Sequence, residues 1–102
     1  MKKDAVAYLN TRRKGDFIAQ KSDVDIYSKY RFQILKIFHD HRKGATPPEE
    51  RRAFTGMLEY CAANDCSSII LYDLAGLARD MDAGLATLKT LNEQYMVYFA
   101  CG

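Results

Sequence analysis

The chain is predicted to be an α/β domain: three layers, with a mostly parallel sheet of four or more strands and helices on both faces. Three observations carry this. Apolar β-prone runs alternate with helical patterns in the order β-α-β-α-β-α-β, which favours a parallel sheet covered by helices. The run Ile69-Ile70-Leu71 is continuously apolar, as in a strand buried on both faces. The chain has 102 residues, enough for one domain with one core and no disulfide or metal staples.

Each element has a local reason. "AVAYLNT", residues 5–11, is apolar, β-prone and ends in polar residues, so it reads as a strand running into the loop "RRKGD". Ser22-Asp23-Val24-Asp25 has the pattern of a capping box, with Val24, Tyr27 and Tyr30 following at helical spacing. The first helix is expected to run to Arg31, from Ser22 or from as early as Asp16. "FQILKIFHD", residues 32–40, alternates partly and is the second strand. Pro47 or Pro48 then opens a helix whose first turn carries Glu49 and Glu50. Phe54, Met57, Leu58 and Cys61 continue it as one apolar stripe. "SIILYD", residues 68–73, is the third strand. Leu77, Met81, Leu85, Leu88 and Leu91 mark the third helix, and "YMVYFA", residues 95–100, the last strand.

Composition bounds the function. Apolar residues make up 48% and charged residues 27%, which fits a globular chain. A net charge of +2 argues neither for nor against nucleic acid. The basic residues cluster in Arg12-Arg13-Lys14, Arg42-Lys43 and Arg51-Arg52. Either they converge on an anion or they are solvated surface. The first two groups follow strand carboxyl ends, where ligands of such sheets sit. Three cysteines, no run of 18 apolar residues and no signal peptide suggest a cytoplasmic chain with reduced thiols and no membrane association. Cys61 suits core packing. His39 and His41 would share a strand face, as metal ligands sometimes do, but no third ligand is evident, so no metal or cofactor is expected. Neither G-x-G-x-x-G nor G-x-x-x-x-G-K occurs, which argues against a nucleotide-binding domain. The basic "TRRKGD" argues against a response regulator, which needs clustered acids there.

Four segments, in order, resemble the catalytic domain of the serine recombinases, the resolvase and invertase family. They are "YLNTR" at Tyr8–Arg12, "FHD" at Phe38–Asp40, "RRAFTGML" around Arg51, and "DLAGLAR" at 73–79, with Gln20 available for a glutamine of the first helix. The resemblance covers nearly the whole chain. It implies a site for DNA in which a serine hydroxyl attacks a phosphodiester and arginines stabilise the phosphoryl charge. Arg51 and Arg79 occupy two of the family's arginine positions. The serine position is Arg12, whose guanidinium stays protonated and cannot attack phosphorus. The first-strand arginine is replaced by Asn10, and an Asp-Arg pair by Ala75-Gly76.

The resemblance therefore implies a recombinase homologue unable to cleave DNA, kept as an interaction module that pairs with itself or with an active relative. Arg12, Arg13, Lys14, Arg42, Lys43, Arg51 and Arg79 are its candidate phosphate contacts. Thr11, one residue from the nucleophile position, is the alternative hydroxyl of an active fragment. An unrelated flavodoxin-like binding domain is the third alternative. The family's long dimerisation helix and separate DNA-binding domain have no counterpart in residues 1–102. The chain is expected to be one domain, either cut from a longer protein or standing alone. Apolar surface is then expected around Met81, Leu85 and Leu88.

Overall fold

The computed structural model describes residues 2–41, 46–78 and 80–101. Four strands, β1 (Lys3–Thr11), β2 (Phe32–His41), β3 (Ser68–Leu71) and β4 (Met96–Phe99), form one sheet in the order β2-β1-β3-β4. All neighbouring pairs are parallel. Three helices connect them: α1 (Lys14–Ser28), α2 (Arg52–Ala63) and α3 (Met81–Asn92). Short 3-10 turns at Pro48–Glu50 and Leu74–Gly76 precede α2 and α3. None of the described helices is long and apolar enough to cross a membrane.

The sheet is covered on both faces, as the alternation of elements predicts. α1 packs Phe17, Val24 and Tyr27 on Ala5, Ala7, Leu9 and Ile70. α2 and α3 pack Phe54, Met57, Cys61, Leu88 and Leu91 on Val6, Tyr8, Ile69 and Leu71. Alternate residues of β1 thus feed two separate cores, because successive side chains of a strand point to opposite faces.

A bulge in β2 decides which polar residues meet. Ala5 pairs with Ile34 but Val6 with Lys36, so Leu35 is an extra residue. Before it, Phe32 and Ile34 face α1; Leu35 and Phe38 face α2. An unbroken two-residue period from Phe32 would turn Phe38 and Asp40 toward α1. The extra residue reverses the phase and puts Asp40 on the α2 face. This is the physical reason that residues 32–40 alternate only partly.

Several expected boundaries move. α1 starts at Lys14, two residues before the earlier of the two expected starts, and ends at Ser28 rather than Arg31; Ser22, the supposed cap, sits exposed in mid-helix. Asp16 lies in the first turn, where an acid suits the helix dipole, and pairs with Arg13 at 3.3 Å. The helix begun by the prolines is not continuous with α2. Arg51 interrupts it in extended conformation, with φ −86° and ψ 129°. Leu77 lies in the turn before α3 rather than on it. The true start of α3 is fixed by Asp80, whose carboxylate accepts from the Ala83 N–H at 2.8 Å. Gly84 lets α3 approach that turn: a Cβ there would stand 3.3 Å from Leu74 Cγ. The third and fourth strands are shorter than expected, by two residues at one end and one at each end respectively.

Candidate functional site

The site lies at the carboxyl ends of β1, β2 and β3, on the α2 face. Its centre is Arg51, which is 1% exposed and is among the largest fully enclosed side chains. The break between the 3-10 turn and α2 aims this side chain inward. Its Nε donates to Thr46 O at 2.9 Å, and Nη1 donates to Gly76 O at 2.8 Å and to Tyr8 Oη at 3.4 Å. Nη2 donates to Leu77 O. A guanidinium has five donors in a fixed fork, and here they hold the backbone of the 74–77 turn.

The countercharge is Asp40, reached through Tyr8. Tyr8 Oη donates to Asp40 Oδ2 at 2.8 Å. The same carboxylate accepts from the N–H groups of Ala53 at 3.0 Å and Phe54 at 3.1 Å. It therefore caps α2 from a neighbouring strand, since Arg51, at the cap position, makes no side-chain cap. Burial raises the Tyr8 phenol above its ordinary value; the Arg51 hydrogen bond opposes this and Asp40 adds to it. The ring of Tyr8 meets Phe54 edge-on, with centroids 5.2 Å apart. The chain Asp40–Tyr8–Arg51–turn is a buried polar network with its charges opposed and four of the guanidinium's five donors bonded.

Asn10 joins the network: its Nδ2 donates to Gly76 O at 3.3 Å. Asp73 supports the turn from inside, accepting from the Gly76 N–H at 3.1 Å. The segment 73–78 is thus a turn whose Gly76 and Leu77 carbonyls point at Arg51.

Thr11 does not share this site. It is 4% exposed and lies with Ala5, Ala7 and Leu9 on the alternate, α1-facing side of β1. Its Oγ1 lies 2.6 Å from His39 Nε2. His39 stacks near Phe17, with centroids 4.3 Å apart, and beside His41 at 4.5 Å. Burial lowers the His39 imidazole below its ordinary value; the neighbouring His41 adds to this and Asp40 opposes it. A hydroxyl beside a histidine is a recognisable nucleophile–base pair, but Arg51 lies across the sheet from it. No cluster of three or more metal-ligating side chains occurs among the described residues.

Arg12, Arg13 and Lys14 are exposed. Arg13 is engaged by Asp16, and with a side chain 79% exposed that pair is solvated. Arg42, Lys43 and Arg79 lie outside the described residues. Of the sequence-predicted positions, the structure brings together Asn10, Arg51 and Gly76, and separates them from Thr11. Tyr8 and Asp40, which join Arg51 to α2, lie in the matching segments, but sequence reasoning assigns them no role. The signal for Asp40 was an acid at a strand end opposite a helix start that lacks its own capping side chain.

The fold and this site define a doubly wound α/β domain with an arginine-centred polar site at the carboxyl ends of its central strands. The family model described as "Resolvase, N terminal domain" matches residues 10–101. The chain belongs to that family, the resolvase-type serine recombinases. A comparison with curated proteins finds no match. Among solved structures, the fold is similar to the C-terminal catalytic domain of ISC1926 TnpA, an IS607-like serine recombinase. The TM-score is 0.74 at 14% identity, over 97% of this chain and 68% of that one. At that identity the likeness establishes the fold alone.

Proposed function

We propose that this resolvase-type domain has lost strand cleavage and serves as an interaction module for DNA recombination in the cytoplasm. In this role it pairs with itself or with an active relative, and meets DNA weakly or through a separate domain. The observation that supports this best is the state of Arg51. A phosphate ligand must present donors to solvent, whereas this guanidinium is enclosed and bonded to Thr46 O, Gly76 O and Leu77 O. By the resemblance, Arg12 stands at the nucleophile position, and Asn10, which shares Gly76 O with Arg51, at an arginine position. Phosphoryl transfer needs an attacking group with a displaceable proton and donors aimed at the developing charge. On this reading Arg12 offers no attacking hydroxyl, and Arg51 spends its donors on backbone carbonyls rather than on a strand of DNA.

The interaction role draws on the outer side of α3. Met81 is 68% exposed and Leu85 48% exposed, with Leu74 and Leu88 half-buried nearby. Contiguous exposed apolar side chains mark interfaces more often than free surface. Arg12, Arg13 and Lys14 would give a weak attraction to phosphates that falls steeply with salt. The test is a supercoiled plasmid incubated with the chain. The expected result is that it stays supercoiled; nicked or relaxed product dependent on the protein overturns the reading.

A further inference from the structure

The corner between α2 and β3 holds two thiols that no part of the recombinase reading uses. α2 ends at Ala63, and Asp65, two residues on, is left-handed with φ 53°. The Cys66 N–H then donates back to Cys61 O at 3.0 Å. A left-handed residue enclosed by this six-to-one hydrogen bond is a Schellman ending. In that motif the residues at the two ends of the bond bring their side chains together, usually as an apolar contact. Here both are cysteines, both are buried in one cluster, and Cys66 stands close enough to the Cys61 thiol to help hold its proton. Both are buried in the core cluster with Met57 and Leu91, and Tyr95 packs against it. Cys66 Sγ also lies 3.7 Å from Ser68 O, beside a Ser68 hydroxyl that is buried with no hydrogen-bond partner among the described residues. The third cysteine, Cys101, is exposed and stands elsewhere, next to Tyr72.

We infer that Cys61 and Cys66 form a dithiol modification site, which a small-molecule disulfide converts into an intrachain disulfide. The Cys66 N–H to Cys61 O bond holds the two backbones together, so a disulfide needs side-chain rotation and little backbone movement. Cys66 loses its proton and its sulfur attacks one sulfur of the external disulfide, releasing one small thiolate. Cys61 then loses its proton and attacks Cys66 Sγ, releasing the second. The protein gives up two protons and two electrons, and the external disulfide becomes two thiols. Burial, and then the neighbouring Cys66, push the Cys61 thiol up, so reaction passes through local opening of the corner. The cross-link fastens the end of α2 to the start of β3. This inference is independent of whether the domain cleaves DNA.

The test uses the folded chain with oxidised glutathione, followed by denaturation, alkylation and peptide mapping. The expected result is a Cys61–Cys66 linked peptide with Cys101 not part of that link. In Cys61→Ser, Cys66 should instead retain a mixed disulfide with glutathione, because the resolving thiol is gone. Wild-type chain in which Cys61 and Cys66 are both alkylated, under conditions that oxidise the same thiols in the unfolded chain, overturns the inference. So does a link from either of them to Cys101. The wild-type map decides the matter even if the variant does not fold.

Discussion

Replacing Arg51 with methionine separates a structural latch from a phosphate ligand. Methionine keeps an apolar stem of similar length and removes every donor. Gly76 O and Leu77 O lose their partner, Thr46 O loses its bond, and the Asp40–Tyr8 pair loses the opposing charge. Breaking one side of a buried charge network costs about 3–5 kcal/mol. The separate cost of each unsatisfied carbonyl, about 1–3 kcal/mol, is largely contained in that figure because the bonds form one network. Urea unfolding followed by far-UV circular dichroism reads the change. With a slope of about 1.5 kcal/mol per molar urea, a loss of about 4 kcal/mol lowers the midpoint by about 2.7 M. The melting temperature should fall by at least about 12 °C. The control is Arg13→Met, whose solvated pair with Asp16 is worth about 1 kcal/mol or less. Arg51→Lys should recover part of the loss, since it restores charge without the fork. A loss below about 1 kcal/mol in Arg51→Met, comparable to the Arg13 control, would refute the latch.

Other consequences follow from the same network and its surroundings. Tyr8 has a raised folded-state value, so its contribution to stability is complete below the ordinary phenol value of about 10 and is lost as pH rises beyond it; Tyr8→Phe should flatten that alkaline slope and cost about 1–2 kcal/mol at neutral pH. His39 is shifted the other way, so its contribution is present above about pH 6.5 and is lost as pH falls through the lower folded-state value; a proton-resonance titration should find its midpoint below the ordinary imidazole value of about 6.5, and a midpoint above that value would contradict the packing around Phe17. Leu85→Glu should dissociate any oligomer that sedimentation detects at micromolar concentration while leaving the melting temperature nearly unchanged, because the side chain is half exposed; persistence of the oligomer would place the interface elsewhere.

The architecture was legible because each core strand and helix carries its own period. The apolar run 69–71 identified a strand buried on both faces, and β3 does lie inside the sheet, between β1 and β4. The stripe Phe54, Met57, Cys61 identified the buried side of α2. What the sequence hid was phase. The extra residue Leu35 leaves no mark in composition, yet it turns Asp40 toward Tyr8 and Arg51 and leaves His39 facing Phe17. The same holds at Arg51. Pro48, Glu49 and Glu50 announce a helix start, but not the extended residue after them that points a charge into the core. Ser22 misled because a local capping pattern competes with a helix already begun at Lys14, whose first turn is supported by Asp16. The site was read from resemblance, which supplied positions such as Asn10 and Arg51. It could not say that Arg51 faces carbonyls.

The most direct test is whether the chain ever becomes joined to DNA. Wild-type protein and Thr11→Ala are incubated with supercoiled DNA carrying recombinase target sites, quenched in denaturant, and examined for protein that migrates with DNA. Loss of one transition-state donor costs about a hundred- to a thousand-fold in rate, and under the proposed reading Arg12 takes the place of the attacking hydroxyl. The account predicts no covalent adduct from either protein. An adduct formed by wild-type protein and abolished by Thr11→Ala would contradict it, and would make the Thr11–His39 pair on the α1 face the working site. An adduct formed by both proteins would contradict it equally and place the nucleophile elsewhere.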